Sequence, residues 1–227
     1  IISNMSRAGV SIARIGEIMN AEEEDYGTAG PLSGDIEFKD VCFSYEKGKP
    51  VLKNVSFTVP QGSTLGIIGG TGSGKSTLMY LLDRLYSPDE GCITIGGKNI
   101  EDIPPATVRG NVGFVLQEGY LYSGTISENI AAASENVGQE GIVQAAQSAC
   151  VDDNIRAFSA GYDTIVGERG VTLSGGQKQR VSIARTLLRA TPYIIFDDSL
   201  SAVDSDTDAA IRARLARRFS GATVILI

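Results

Sequence analysis

"GGTGSGKST" (residues 69–77) matches the phosphate-binding pattern G-x-x-x-x-G-K-[ST]. Its glycines let the backbone curl around an anion, and the following helix points its first N–H groups at phosphate oxygens. Lys75 is then expected to reach the β- and γ-phosphates, and the Ser76 hydroxyl to ligate Mg²⁺. The loop therefore predicts a site for a nucleoside triphosphate with Mg²⁺. Its candidate residues are Gly69, Gly70, Thr71, Gly72, Ser73, Gly74, Lys75, Ser76 and Thr77.

The sequence on either side supports this loop. The apolar run "TLGIIG" before it is typical of a buried strand, and "KSTLMYLLDRL" after it is typical of a helix. A glycine-rich turn with a chance Lys-Ser pair is the alternative, which the strand–loop–helix order disfavours. The motif alone does not say how the energy of the nucleotide is used.

A second stretch with candidate site residues is "YIIFDDSLSAVD" (residues 193–204). Its apolar residues predict a buried strand that ends at Asp197, where a doubly wound sheet offers its ligand crevice. A carboxylate beside a phosphate loop is expected to bind the metal or its waters. Asp198 follows directly as a second carboxylate.

The chain divides into two parts by pattern. Residues 1–30 predict one amphipathic helix and then an acidic linker, with an ordinary surface helix as the alternative. Residues 31–227 alternate strands with helices, which favours an α/β fold with a parallel sheet. Two early strands with alternating apolar residues predict an antiparallel annex. Ser174 is the predicted N-cap of a strong helix.

Composition excludes disordered and fibrous proteins. With 42% hydrophobic and 21% charged residues, the 227-residue chain is typical of a folded globular protein. A net charge of −7 does not favour nucleic acid as a partner. The three cysteines form no CxxC pair, and no apolar run of about 18 residues predicts a membrane span. The first residues contain no charged stretch followed by an apolar block, so a signal peptide is not expected.

"LSGGQKQR" (residues 173–180) resembles the signature motif of ATP-binding cassette (ABC) proteins. From the residues alone, a capping serine followed by glycines is a second anion-binding helix N-terminus, with a plain capped surface helix as the alternative. In the family, the signature of one domain closes over ATP held by the phosphate loop of its partner. The resemblance assigns this role to Ser174, Gly175, Gly176 and Gln177.

Further stretches fit the same family. Tyr45 looks like the aromatic that stacks on adenine, and Gln117 resembles the glutamine that touches Mg²⁺ and reports to the transmembrane partner. "SAVD" (201–204) looks like the loop that crosses to the other domain. "VGERG" (166–170) and "LYSGTISENI" (121–130) resemble exporter-type cassettes.

The resemblance implies a P-loop ATPase core with a mostly parallel sheet, an antiparallel β annex and a helical subdomain. ATP and Mg²⁺ are the implied cofactors. The implied metal ligands are Ser76, Gln117 and Asp197, and the implied catalytic residues are Lys75, Gln117 and Asp198.

Two features depart from the family pattern. The chain contains no histidine, and the family's switch histidine is expected just beyond "ATVILI", so we interpret the chain as truncated before it. The family also places Glu, the base that polarises the attacking water, where this chain has Asp198. A weakened carboxylate beside an intact signature resembles the slow-site half of a heterodimeric exporter; a fully active homodimeric domain is the alternative.

The resulting prediction is an ATPase domain that powers export through ATP-driven dimerisation at the cytoplasmic face of the plasma membrane. Its predicted partners are the transmembrane domain of the same transporter and a second nucleotide-binding domain from a different half-transporter. The predicted helix of residues 1–30 then follows the last transmembrane helix, without inserting itself. A soluble ABC ATPase of DNA repair or translation is the rival class, disfavoured because no coiled-coil insertion or tandem cassette is present. An ATP-binding module without turnover is a further alternative.

Overall fold

Strands and helices alternate along most of the chain in the computed structural model, which describes residues 2–20, 26–134, 137–167, 173–197, 207, 209–211, 213–214 and 221–227. The labelled strands are β1 (Ile36–Phe43), β2 (Leu52–Val59), β3 (Thr64–Gly66), β4 (Glu90–Ile95), β5 (Lys98–Asn99), β6 (Val112–Val115), β7 (Gly124–Thr125), β8 (Ile165–Val166), β9 (Tyr193–Phe196) and β10 (Thr223–Leu226). The labelled helices are α1 (Ile2–Met19), α2 (Lys75–Leu82), α3 (Pro105–Asn111), α4 (Ile126–Ala131), α5 (Gln139–Ser148), α6 (Asp152–Arg156) and α7 (Gly175–Leu188).

A parallel sheet forms the centre of the fold. Its strands lie in the order β3-β10-β9-β6, and every pair is parallel. All four residues of β9 are buried, which is the pattern of a strand covered on both faces. The predicted α/β fold with a parallel sheet is therefore confirmed.

The predicted antiparallel annex is a second sheet, in the order β2-β1-β4-β5. Phe38 of β1 stacks on Phe57 of β2 with 4.5 Å between the ring centroids, a cross-strand pair that helps to fix the register. The residue types of "GGKN" (96–99) predict a turn, but only Gly96 and Gly97 turn the chain. Lys98 and Asn99 pair with β4 as β5.

Two hydrophobic cores meet at β9. One core lies between the antiparallel sheet and α2, and the other is formed with α4, α5 and α7. Tyr193 and Ile195 pack into the first core, whereas Ile194 and Phe196 pack into the second. Because side chains alternate along a strand, β9 joins the two cores. Its carboxyl end, where Asp197 lies, is thereby fixed from both sides.

The helices of the second core form the predicted helical subdomain. The sequence pattern predicts helices around 126–133, 139–149 and 152–158, and α4, α5 and α6 lie there. Thr125 caps α4 in a capping box with Glu128, and Ser174 caps α7 as predicted. The pattern of "SDTDAAIRARLARRF" (205–219) also predicts a helix. Most of it lies outside the described residues, and 207, 209–211 and 213–214 are helical.

The helix α3 was not predicted, and it anchors the segment that leads into the domain. The Asn111 amide donates to the carbonyl of Gly30 at 2.7 Å and accepts from the Leu32 N–H at 3.2 Å. Thr107 donates to the carbonyl of Thr28 at 2.9 Å. These side chain–backbone bonds hold residues 28–32 against the domain.

Earlier in the chain, α1 forms as predicted over Ile2–Met19. Among the α1 residues whose burial is described, the large apolar side chains Val10, Ile12, Ile15 and Met19 are exposed. Within the described part of the chain, no helix combines the length and the apolar character needed to cross a membrane.

Candidate functional site

The phosphate loop connects β3 to α2. Helix α2 begins at Lys75, and Gly74 before it has φ +88°, in the left-handed region that favours glycine. A Cβ on Gly74 would lie 2.8 Å from Leu52 Cδ2, so only glycine fits between the loop and β2. Glycine has no side chain with which to cap the helix, so the first N–H groups of α2 can bind an anion.

The ammonium of Lys75 lies over this loop. Its Nζ donates to the carbonyl of Gly69 at 2.8 Å and to that of Gly70 at 3.1 Å. These bonds hold a positive charge at the mouth of the loop, where a triphosphate would carry its negative charge. The loop residues therefore fit a phosphate group.

The predicted metal ligands meet at the carboxyl edge of the parallel sheet. Ser76 Oγ donates to Asp197 Oδ1 at 3.0 Å, although 121 positions separate the two residues. The backbone N–H of Asp197 donates to the carbonyl of Val115 at 2.9 Å, and the residue is only 6% exposed. Hydroxyl and carboxylate oxygens are hard ligands that suit Mg²⁺, which is usually held by one or two protein groups together with phosphates and waters. The pair therefore fits Mg²⁺ beside the phosphate loop.

The electrostatic effect of Asp197 extends to α2. Burial raises the pKa of Tyr80, and the negative charge of Asp197 adds to this shift. Tyr80 therefore stays neutral at physiological pH. Its ring stacks on that of Phe114, with 6.2 Å between the ring centroids.

Tyr45 lies against the other side of the phosphate loop. Its hydroxyl and that of Thr77 are 3.1 Å apart and share a hydrogen bond. The rings of Phe43 and Tyr86 approach Tyr45 edge-on, with centroids 4.9 and 5.2 Å away. The residue is 48% exposed, so a flat ligand can still approach it. An aromatic ring fixed in this way is suited to stacking on a nucleobase.

Gln117 lies two residues beyond the end of β6, beside the start of α7. A cleft of about 600 Å³ contains Gln117, Gly175 and five further residues: Glu118, Gly119, Tyr120, Lys178 and Gln179. Because β6 and β9 are parallel neighbours, Gln117 and Asp197 both follow the carboxyl edge of one sheet. The structure thus places part of the signature motif next to the predicted metal-contacting glutamine of the same chain.

The signature residues form a capped helix start. Ser174 Oγ accepts from the Gln177 N–H at 3.3 Å, and Gln177 Oε1 accepts from the Ser174 N–H at 2.9 Å. This capping box gives the first turn a fixed shape. Gly175 is exposed, and a Cβ there would meet nothing within 4 Å, so a ligand can approach the turn closely. Gly176 of the predicted set lies between the two residues of the box.

The structure thus brings together the phosphate loop, Tyr45 and Asp197, and it places Gln117 beside the signature helix. Asp198, residues 168–170 and residues 201–204 lie outside the described residues, so these candidates are not located. The catalytic and binding roles of the whole set remain predictions.

Two residues of this region were not predicted. Tyr86 packs on Tyr45, and no sequence pattern marks a tyrosine after a helix end. Gln179 is buried against the Gln117 segment. It stands inside "LSGGQKQR", so its position in that motif was the available signal.

The sequence model of the family described as "ABC transporter" matches residues 52–201. The chain belongs to the ABC transporter family. It is 47% identical over 215 residues to "Uncharacterized ABC transporter ATP-binding protein YfiB" of Bacillus subtilis (strain 168), covering 93% of this chain and 38% of that protein. It is 40% identical over 228 residues to "Alpha-hemolysin translocation ATP-binding protein HlyB" of Escherichia coli O157:H7, covering 99% of this chain and 32% of that protein.

Among solved structures, the chain resembles a bacterial Atm1-family ABC exporter with ATP bound. The TM-score is 0.89 at 35% identity, covering 100% of this chain and 41% of that one. The chain spans about a third of the length of the curated relatives named above. It is an ATP-binding domain of the exporter type, and domains of this class bind ATP with Mg²⁺ and hydrolyse it.

Proposed function

We propose that this domain binds Mg·ATP at its phosphate loop and hydrolyses it to power export across a membrane. The observation that carries the proposal is the hydrogen bond of 3.0 Å between Ser76 and Asp197. It brings the phosphate loop and the carboxyl end of a buried strand to one point, where Ser76 and Asp197 would hold Mg²⁺ beside the phosphates. The names of the relatives, an exporter and a translocation protein among them, support transport as the use of that energy.

Each group has a distinct task in this proposal. Lys75 and the first N–H groups of α2 hold the phosphates, and Tyr45 stacks on the adenine. Ser76, Gln117 and Asp197 hold the metal or its waters. Mg²⁺, when bound, neutralises the charge on the β- and γ-phosphates.

The signature helix serves the ATP site of the partner domain, not the site on its own chain. We assign Ser174, Gly175, Gly176 and Gln177 to the ATP of a second nucleotide-binding domain, in a head-to-tail dimer that ATP closes. A capped helix start with an exposed glycine is suited to contact a phosphate of ATP that is bound to another domain. Residues 1–30 connect the domain to its transmembrane part, and the domain acts at the cytoplasmic face of the membrane.

The finer part of the proposal concerns Asp198. Aspartate is shorter than glutamate by about 1.5 Å, one carbon–carbon bond. A displacement of about 1 Å can cost roughly 10²-fold in rate. We therefore propose that the site on this chain turns over slowly and that its signature completes a faster site on a different half-transporter. An active homodimer, in which Asp198 suffices as the base, is the alternative.

The test replaces Ser174 by arginine in the full-length protein assembled with its partner. Ser174→Arg fills the space in front of the signature helix, so steady-state ATPase activity should fall to the level of the slow site, whereas ATP affinity at this chain's own loop should stay the same. Ser159→Arg, on an exposed turn of the same subdomain, serves as the matched control. Full ATPase activity in Ser174→Arg would contradict the head-to-tail role of the signature.

A further inference from the structure

Gln179 connects the signature helix to the segment that carries Gln117. Its side chain is buried within α7, with 2% of the residue exposed. Its Nε2 donates to the carbonyl of Leu116 at 3.0 Å, across 63 positions of the chain. Leu116 directly precedes Gln117, so this bond fixes the backbone from which the Gln117 side chain extends.

The same segment approaches α7 so closely that it needs a glycine. A Cβ on Gly119 would lie 2.9 Å from the carbonyl oxygen of Lys178 and 3.0 Å from Gln179 Cα. Both of these atoms belong to backbone, which cannot move aside as the end of a flexible side chain could. Residues 116–119 therefore lie directly against the first half of α7.

Two further bonds extend this contact along the helix. Thr186 donates to the carbonyl of Phe114 at 3.2 Å, and Arg185 donates to that of Tyr120 at 3.0 Å. The chain from Phe114 to Tyr120 is thus attached to α7 on both sides of Gln117. Of these three donors, Gln179 is the one whose acceptor, the carbonyl of Leu116, is adjacent to Gln117 in sequence.

We propose that Gln179 is a positioning residue that couples the metal site of this chain to its signature helix. This inference rests on the proposed function, in which Gln117 senses this chain's own Mg·ATP while α7 presents Ser174 to the partner's ATP. A shift of Gln117 on Mg·ATP binding pulls on the carbonyl of Leu116, and the buried amide transmits that shift to α7. The two ATP sites are thereby linked through a single chain.

The first test is a double-mutant cycle on kcat in the full-length protein. Gln179→Met preserves the length of the side chain and removes the donor. We expect it to lower kcat by about 10-fold, with unchanged ATP affinity, because the loss of one positioning bond should displace Gln117 by less than the 1 Å that costs roughly 10²-fold. In a Gln117→Ala background the same change should cost less than about 2-fold, because a residue that acts through another gives a non-additive effect. Equal losses in both backgrounds would overturn the proposal.

Hydrogen exchange provides a readout that needs no turnover. In the wild type, Mg·ATP should slow amide exchange both at residues 116–119 and in the first turn of α7. In Gln179→Met, and in Gly119→Ala, the protection should remain at the phosphate loop and disappear from α7. Protection of α7 that persists in both variants contradicts the coupling.

The matched control is Gln144→Met, which removes an exposed glutamine amide from α5 of the same subdomain. It should behave as the wild type in both assays. If Mg·ATP fails to protect residues 69–77 in the wild type, the proposed function itself is wrong. If that protection is present and only the coupling to α7 is absent, the inference about Gln179 alone fails.

Discussion

The hydroxyl of Ser76, in the first turn of α2, donates a hydrogen bond to the carboxylate of Asp197 at the end of β9. One residue lies beside the phosphate loop and the other ends a buried strand, so the bond joins the two motifs of the site. The Asp197 carboxylate is nearly buried, and the bond from Ser76 holds it in place. A Mg²⁺ ion accepts oxygen ligands from such a pair.

This pair predicts how the domain depends on Mg²⁺. Asp197→Asn removes the charge but keeps the shape, so the apparent affinity for Mg²⁺ in the presence of ATP should fall by about 10- to 100-fold. Asp102→Asn, at an exposed carboxylate, is the control. A Mg²⁺ titration of nucleotide binding measures both. An unchanged titration in Asp197→Asn would remove the carboxylate from the metal site.

Tyr45 predicts how the nucleobase contributes to affinity. Tyr45→Ala should weaken ATP binding by about 1–3 kcal/mol through lost stacking. Tyr45→Phe retains the ring and loses only the hydrogen bond to Thr77, so its cost should stay near 1 kcal/mol. Inorganic tripolyphosphate, which has no base, should bind all variants equally. Equal ATP affinity in the wild type and Tyr45→Ala would exclude the ring from the site.

Asp198 predicts a gain of activity. Asp198→Glu should lengthen the reach of the carboxylate to the attacking water and raise kcat, by about 10-fold if part of a general-base effect of 10²–10⁴ is recovered. ATP affinity should barely change, because the base acts in the transition state. Steady-state ATPase assays of matched preparations compare the two. A wild type that equals Asp198→Glu would mean that aspartate is a competent base and that the slow-site proposal fails.

Asp83, at the C-terminal end of α2, predicts a pH dependence of stability. Burial raises the pKa of Asp83 to about 6, although the guanidinium groups of Arg109 and Arg189 oppose the shift. The raised pKa means that the protonated form stabilises the fold below about pH 4 and that this contribution disappears as the pH rises through about 6.

The free energy of unfolding of Asp83→Asn should therefore be about 1–3 kcal/mol higher than that of the wild type near pH 8. Near pH 4 the two should differ little. Denaturant unfolding at the two pH values measures the difference, with the exposed Asp89→Asn as the control. A constant difference across pH would show that Asp83 is charged throughout.

Local patterns were sufficient to predict the phosphate loop, because its chemistry depends on consecutive residues such as Gly74, Lys75 and Ser76. The meeting of Ser76 and Asp197 was predictable only through a family resemblance or a sheet order, since 121 positions separate them. The bond between Tyr45 and Thr77 leaves no periodic trace in the sequence. Helix α3 escaped prediction because it is short and starts at adjacent prolines.

The central claim is that the phosphate loop binds Mg·ATP, and an equilibrium titration of Lys75→Ala tests it most directly. Without the ammonium over Gly69 and Gly70, the triphosphate lacks its main compensating charge. Lys98→Ala, at an exposed lysine on β5, is the control. We predict that Lys75→Ala shows no saturable binding at Mg·ATP concentrations that saturate the wild type and Lys98→Ala. Wild-type affinity in Lys75→Ala would contradict the assignment of the loop.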